Sequence, residues 1–161
     1  MKRVIKQLQN VDFQVNNILE IYKQALPDEI IQGKAWYFNA NNLCKLMSIK
    51  YNLTLQQTVG ILAALSPATS WNQNIIDINN FCSLLQAGKD IKSVVVTTYG
   101  SNKLKAYYLW LHSELTEKEV YKVLLGYRKH LNKTSSFYMN ILHPELNESI
   151  TIDRHSFRIN L

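Results

Sequence analysis

Two residues in the last third of the chain carry side chains that can do covalent or electrostatic chemistry. They are Lys133, in LNKTSSFYMNI, and Asp153, in NESITIDRHSFRINL. Lys133 opens a helical stretch with Thr134 beside it. In a partly dry cleft a lysine can lose its proton and attack a sugar carbon. The backbone amides of such a helix start can also hold a phosphate. The plainer reading is a solvated surface amine. Asp153 follows an apolar climb through Ile150 and Ile152, and Arg154 and His155 come directly after it. A carboxylate there can cap the next helix. Facing a cleft, it can instead orient water or stabilise positive charge growing on a sugar.

A third place is the turn in ALSPATSWNQN, which offers Ser66, Thr69, Ser70, Asn72 and Asn74 around Trp71. A polar turn with an aromatic can fill the gap left when a base leaves the stack. For Trp71 the favoured reading is a core aromatic. His112, His130, His143 and His155 do not fall in ligand spacing. No HExxH, P-loop or GxGxxG is present, and two cysteines are too few for an iron–sulfur cluster. No metal and no cofactor are expected.

The elements that must hold these residues are helical. The chain has 161 residues, 47% hydrophobic and 19% charged, which suits one helical domain over 1–161 with a sizeable core. No apolar run approaches the roughly 20 residues of a membrane helix, and MKRVIKQLQNVDF lacks the apolar core of a signal peptide. A cytoplasmic protein with no membrane partner is expected, and Cys44 and Cys82 read as core thiols in a reducing compartment. Net charge is +6, and Lys34, Lys45 and Lys50 lie in an acid-free stretch from 31 to 60. Lys122, Arg128, Lys129 and Lys133 form a second cluster beside Tyr127, Phe137 and Tyr138. Clustered cations with aromatics suit a phosphate backbone, and equally a solvated basic face.

Periodicity predicts an amphipathic helix over 11–26 broken by Pro27, and another from about 33 to 50. Thr54 and Gln57 form a capping-box pattern before LQQTVGILAAL, which is apolar nearly all round and so central. Ser66-Pro67 ends it. Ser70 opens a helix with the stripe Trp71, Ile75, Ile78, Cys82 and Leu85, closed by Gly88. Val94 to Thr98 is strand-like, and reads equally as a helix start or a loop. Further helices are expected over 102–112, after the Thr116/Glu119 box, over 134–142, and from about Asp153. The total is eight to ten helices in an all-α chain.

These segments together resemble the helix-hairpin-helix DNA glycosylases, the endonuclease III-like superfamily. The family's L-S-x-x-x-T resembles Leu65-Ser66-Pro67-Ala68-Thr69. Its N-x-K-A helix entry resembles Asn102, Lys105 and Ala106, with one extra residue. Its K-T-A segment resembles Lys133-Thr134-Ser135. Its V-D-T-H-x-x-R resembles Ile152-Asp153-Arg154-His155-Ser156-Phe157-Arg158. The four occur in the family's order from roughly residue 33 onward, with a further likeness to a small phage-type branch. The chain departs from the pattern where the family's hairpin has glycines before the lysine. Here Arg128-Lys129-His130-Leu131-Asn132 stands there, and the nearest glycine is Gly126. The chain also has at most two turns after Asp153 where relatives continue. A minimal member, a fragment of an interrupted gene, or a half-domain completed by a partner protein or second copy is expected.

The resemblance implies a two-lobed helical fold that binds duplex DNA, flips a damaged or modified base and cleaves its N-glycosidic bond. Lys133 and Asp153 would be catalytic, with lyase activity where Lys133 is the nucleophile. Ser66, Thr69, Trp71, Asn102, Lys105, Arg128, Lys129, Thr134, Arg154 and His155 would contact DNA. Trp36, Tyr37, Trp71 and Tyr138 are candidates to line the base pocket. Two alternatives share the scaffold: a phage enzyme that hypermodifies a DNA base without removing it, and a non-catalytic DNA- or protein-binding module.

Overall fold

The computed structural model describes residues 11–127, 132–146 and 149–151, with side chains from residue 15 onward. Asp153, Arg154, His155, Arg128 and Lys129, and the helix expected at Asp153, lie outside the described residues. Among the described residues the fold is all-α: seven α-helices, one 3-10 turn at Ile91–Ser93 and no strand. Contacts divide the chain into two compact units, residues 1–36 with 152–161, and residues 37–151.

The first unit contains α1 (Val11–Gln24), with Val15, Ile18, Leu19 and Tyr22 at three- and four-residue steps. It also holds the start of α2 (Pro27–Tyr51), which begins six residues before the expected position. Proline has no N–H to lose at the first position of a helix, and its fixed φ suits that site. Asp28 and Glu29 complement the helix dipole there. Glu29 also accepts from the Leu26 N–H at 2.8 Å. Pro27 therefore starts a helix as well as ending the one before it.

In the second unit the core face of α2 carries Ala40, Cys44, Met47 and Tyr51, all buried. Asn52 closes α2 in a left-handed conformation (φ 53°), with the Leu53 N–H on Ser48 O and the Asn52 N–H on Ile49 O. The expected capping box then opens α3 (Leu55–Leu65). Thr54 Oγ1 accepts from the Gln57 N–H at 3.1 Å, and Gln57 Oε1 accepts from the Thr54 N–H at 3.0 Å. Residues 57–65 are all buried, as a helix apolar nearly all round must be.

α3 is the hub against which α4 (Trp71–Gln86), α5 (Gly100–Leu111), α6 (Glu117–Leu125) and α7 (Lys133–Leu142) pack. Gly60 makes that convergence possible. A Cβ there would meet Val120 Cγ1 at 2.7 Å and Leu109 Cδ1 at 3.1 Å, with Tyr138 Cε2 at 3.9 Å. Three helices thus meet over one missing methyl group. Buried Gln57 reaches across to the Leu109 carbonyl at 3.0 Å, satisfying a carbonyl near the end of α5.

α4 opens with Ser70 Oγ accepting from the Gln73 N–H. It closes with Gly88 at φ 73°, the Lys89 N–H on Leu84 O and the Gly88 N–H on Leu85 O. Of its expected stripe, Ile78 and Cys82 are fully buried, while Trp71, Ile75 and Leu85 are partly exposed. The strand-like run from Val94 to Thr98 is a loop. Asp77, a buried carboxylate on α4, fixes it by accepting from the Thr97 N–H at 2.8 Å and from Thr97 Oγ1 at 3.3 Å. Burial pushes the Cys44 and Cys82 thiols up to about 12, which leaves them protonated and chemically quiet.

Candidate nucleic-acid interface

The hairpin between α6 and α7 is built from its two helix ends. At the outer start of α6, Thr116 and Glu119 form the expected box. The Glu119 carboxylate accepts from the Thr116 hydroxyl at 2.6 Å and from the Thr116 N–H at 2.8 Å. These two bonds, the hydroxyl's first, hold the Glu119 carboxyl below its ordinary range. At the inner end, Gly126 takes φ 64° and ψ −143°, backbone space that side chains largely exclude. Its N–H donates to Lys122 O at 3.0 Å.

Asn132 ties the second limb to the first. Its Oδ1 accepts from the Ser135 N–H at 2.9 Å and so caps α7. Its Nδ2 donates to Leu125 O at 3.2 Å, with Leu124 O at 3.5 Å. Lys105, arriving from α5, donates from Nζ to the same Leu124 carbonyl at 3.0 Å. The last carbonyls of α6 are thus met by an amide from α7 and an ammonium from α5, where a helix end needs donors.

The opposite ends of the two helices are joined as well. His143, just after α7, meets Glu117, the first residue of α6, with Nε2 2.9 Å from Oε1. Asn41 on α2 donates to Ile141 O at 2.8 Å, and Tyr37 packs edge-on against Phe137 with centroids 6.4 Å apart. Tyr138, the next residue of α7, is fully buried in the core. Its hydroxyl has no hydrogen-bond partner among the described residues, and burial pushes its pKa up.

The described sequence candidates lie at the hairpin, in the first turn of α5 and in the turn between α3 and α4. Lys133 and Thr134 are the first two residues of α7, both half-buried, and Lys105 stands at the same hairpin. Lys105 spends an N–H on an α-helix end, which gives it a positioning role that its motif did not suggest. Asn102 lies in the first turn of α5 and donates to the buried Thr98 hydroxyl at 3.0 Å. Ser66, Thr69 and Trp71 occupy the other turn, between α3 and α4. Ser66 is buried and donates to Ala63 O at 2.9 Å, closing α3. Thr69 and Trp71 are partly exposed.

That second turn holds Ala68 at φ 63°, a left-handed conformation that costs a residue with a Cβ about 1–2 kcal/mol. Asn74, in the first turn of α4, is 2% exposed. It donates to Leu62 O at 3.2 Å, and its Oδ1 has no partner among the described residues.

Sequence reasoning missed Asn132, Asp77 and the Glu117–His143 pair. Asn132 and Ser135 stand in the N-x-x-S spacing of a cap, so that signal was available. Glu117 and His143 lie 26 residues apart and only the fold joins them.

The hairpin can present a lysine and a short cationic edge to an anion, on a footing held by three helices. No curated protein and no solved structure matches the chain. The sequence that builds this hairpin does match a family over its whole length, residues 1–161, and the chain belongs to that family, one of unknown function designated DUF7178.

Proposed function

We propose that this protein is a DNA glycosylase that binds duplex DNA through the α6–α7 hairpin, everts a damaged or modified base and cleaves its N-glycosidic bond. The observation that carries this reading is the position of Lys133. It is the first residue of α7, half-buried, next to a cap that ties α7 to the end of α6. A nucleophile needs a fixed position more than it needs reach, because orientation supplies much of the barrier reduction.

In the reaction, the bond from the sugar to the base lengthens and positive charge grows on the sugar. A carboxylate beside the sugar stabilises that charge, the role that the resemblance implies for Asp153. In the lyase form, the Lys133 amine attacks the sugar carbon as the base leaves with the bonding electrons. One amine proton goes to the departing base and the other to the ring oxygen as the sugar ring opens, and the resulting Schiff base allows strand cleavage by elimination. In the hydrolytic form, water takes the place of the amine and the product is an abasic site.

Duplexes carrying candidate lesions or modified bases, incubated with the protein and then borohydride, test this. A trapped adduct lost in Lys133→Ala and in Lys133→Arg supports the lyase form. An abasic product without trapping, lost in Asp153→Asn, supports the hydrolytic form. A mass change on the base with the sugar bond intact, or binding without any product across the substrate set, overturns glycosylase activity.

A further inference from the structure

Just past the end of α6 stands a residue that the proposed chemistry does not use. Tyr127 is 109% exposed, so the whole ring stands in solvent. It follows Gly126, whose backbone geometry is closed to most other residues. The carbonyls just before it are held by Lys105 and Asn132. A ring placed this way contributes nothing to the core.

Its electrostatic setting narrows what it can meet. Between Glu119 and Glu145 the chain carries no acidic residue. Lys122 is exposed in the last turn of α6, and Lys133 begins α7. An aromatic face within a cationic stretch matches a nucleotide: the ring stacks on the base and the cations neutralise phosphate. Bases inside a duplex have both faces covered by their neighbours, so only an unpaired base can use the ring.

We infer that Tyr127 is a stacking platform for an unpaired base of the DNA strand. This rests on the DNA-acting reading above and adds a substrate preference to it: DNA with an unpaired nucleotide is bound in preference to continuous duplex.

The test uses the full chain and oligonucleotides carrying 2-aminopurine in a single strand, opposite a gap, or in continuous duplex. The wild type is expected to quench the unpaired 2-aminopurine and to bind those two substrates more tightly than the duplex. Tyr127→Ala and Tyr127→Leu are expected to lose the quenching and roughly five- to hundredfold in affinity for unpaired DNA, the loss typical of one base–aromatic stack. Tyr127→Phe is expected to retain both, because the ring face does the work. Tyr127→Ala that quenches and binds like the wild type overturns the platform and leaves glycosylase activity standing. A wild type that binds no DNA overturns both. Tighter binding to single-stranded RNA with no quenching on DNA also overturns the inference.

Discussion

Asn132 joins the two limbs of the hairpin through one side chain. Its amide oxygen caps α7 and its amide nitrogen meets the end of α6. A cap is worth about 1 kcal/mol, and a helix-end carbonyl stripped of its donor adds about as much. Asn132→Ala is therefore expected to destabilise the protein by about 2 kcal/mol in urea unfolding. Asn132→Ser keeps an oxygen for the cap and loses the second contact, so it should cost about half as much. An Asn132→Ser variant as stable as the wild type would show that the tie to α6 contributes nothing. Lys133 was conspicuous in the sequence because an amine is a nucleophile by type. Asn132, one position earlier, was not, because half of its role lies in carbonyls that the fold brings to it. Ser66 shows the converse: its motif suggested DNA, and in the structure its hydroxyl is buried on the Ala63 carbonyl.

The helices themselves were largely legible, and for physical reasons. The Thr54–Gln57 and Thr116–Glu119 boxes and Gly88 act within a few residues, so sequence spacing alone exposes them. The start of α2 was not read because Pro27 signals both an end and a beginning. Val94 to Thr98 has the composition of a strand, but the described residues include no strand for it to pair with. Its Thr97 backbone is met by Asp77, 20 residues earlier. Gly60 belongs to this scale, since its value lies in three helices at once. Alanine would gain about 1 kcal/mol of helix propensity there. It would also drive a methyl to 2.7 Å from Val120 Cγ1, a branched atom with little freedom to move. Overpacking of that kind costs about 1–3 kcal/mol and should win. Gly60→Ala is expected to lower the unfolding midpoint, and Gly60→Ala with Val120→Ala to recover part of the loss. A single variant more stable than the wild type would mean that α6 can shift away from α3 freely.

At the scale of the whole molecule, charge was the clearest signal in the sequence and the hardest to place. Net charge is +6, yet a count of cations does not say which are available. Lys103 donates to the Ile91 and Val94 carbonyls and Lys105 to the Leu124 carbonyl, so both are engaged in holding backbone. The acid-free stretch between Glu119 and Glu145 retains Lys122, Arg128, Lys129 and Lys133 in sequence, and the other, from 31 to 60, has Lys34, Lys45 and Lys50. Salt dependence separates the two. Each phosphate neutralised adds about 0.9 to the fall of log affinity with log salt. Two to four contacts from the hairpin stretch give a slope of about −2 to −4, measured by anisotropy between about 50 and 200 mM salt. Lys122→Ala should reduce that slope by about 0.9 on every DNA sequence tested, since a phosphate contact carries no base information. Lys45→Ala should leave it unchanged. If the two variants exchange these behaviours, DNA lies along α2 and away from the hairpin, and the placement of the reaction at Lys133 falls with it.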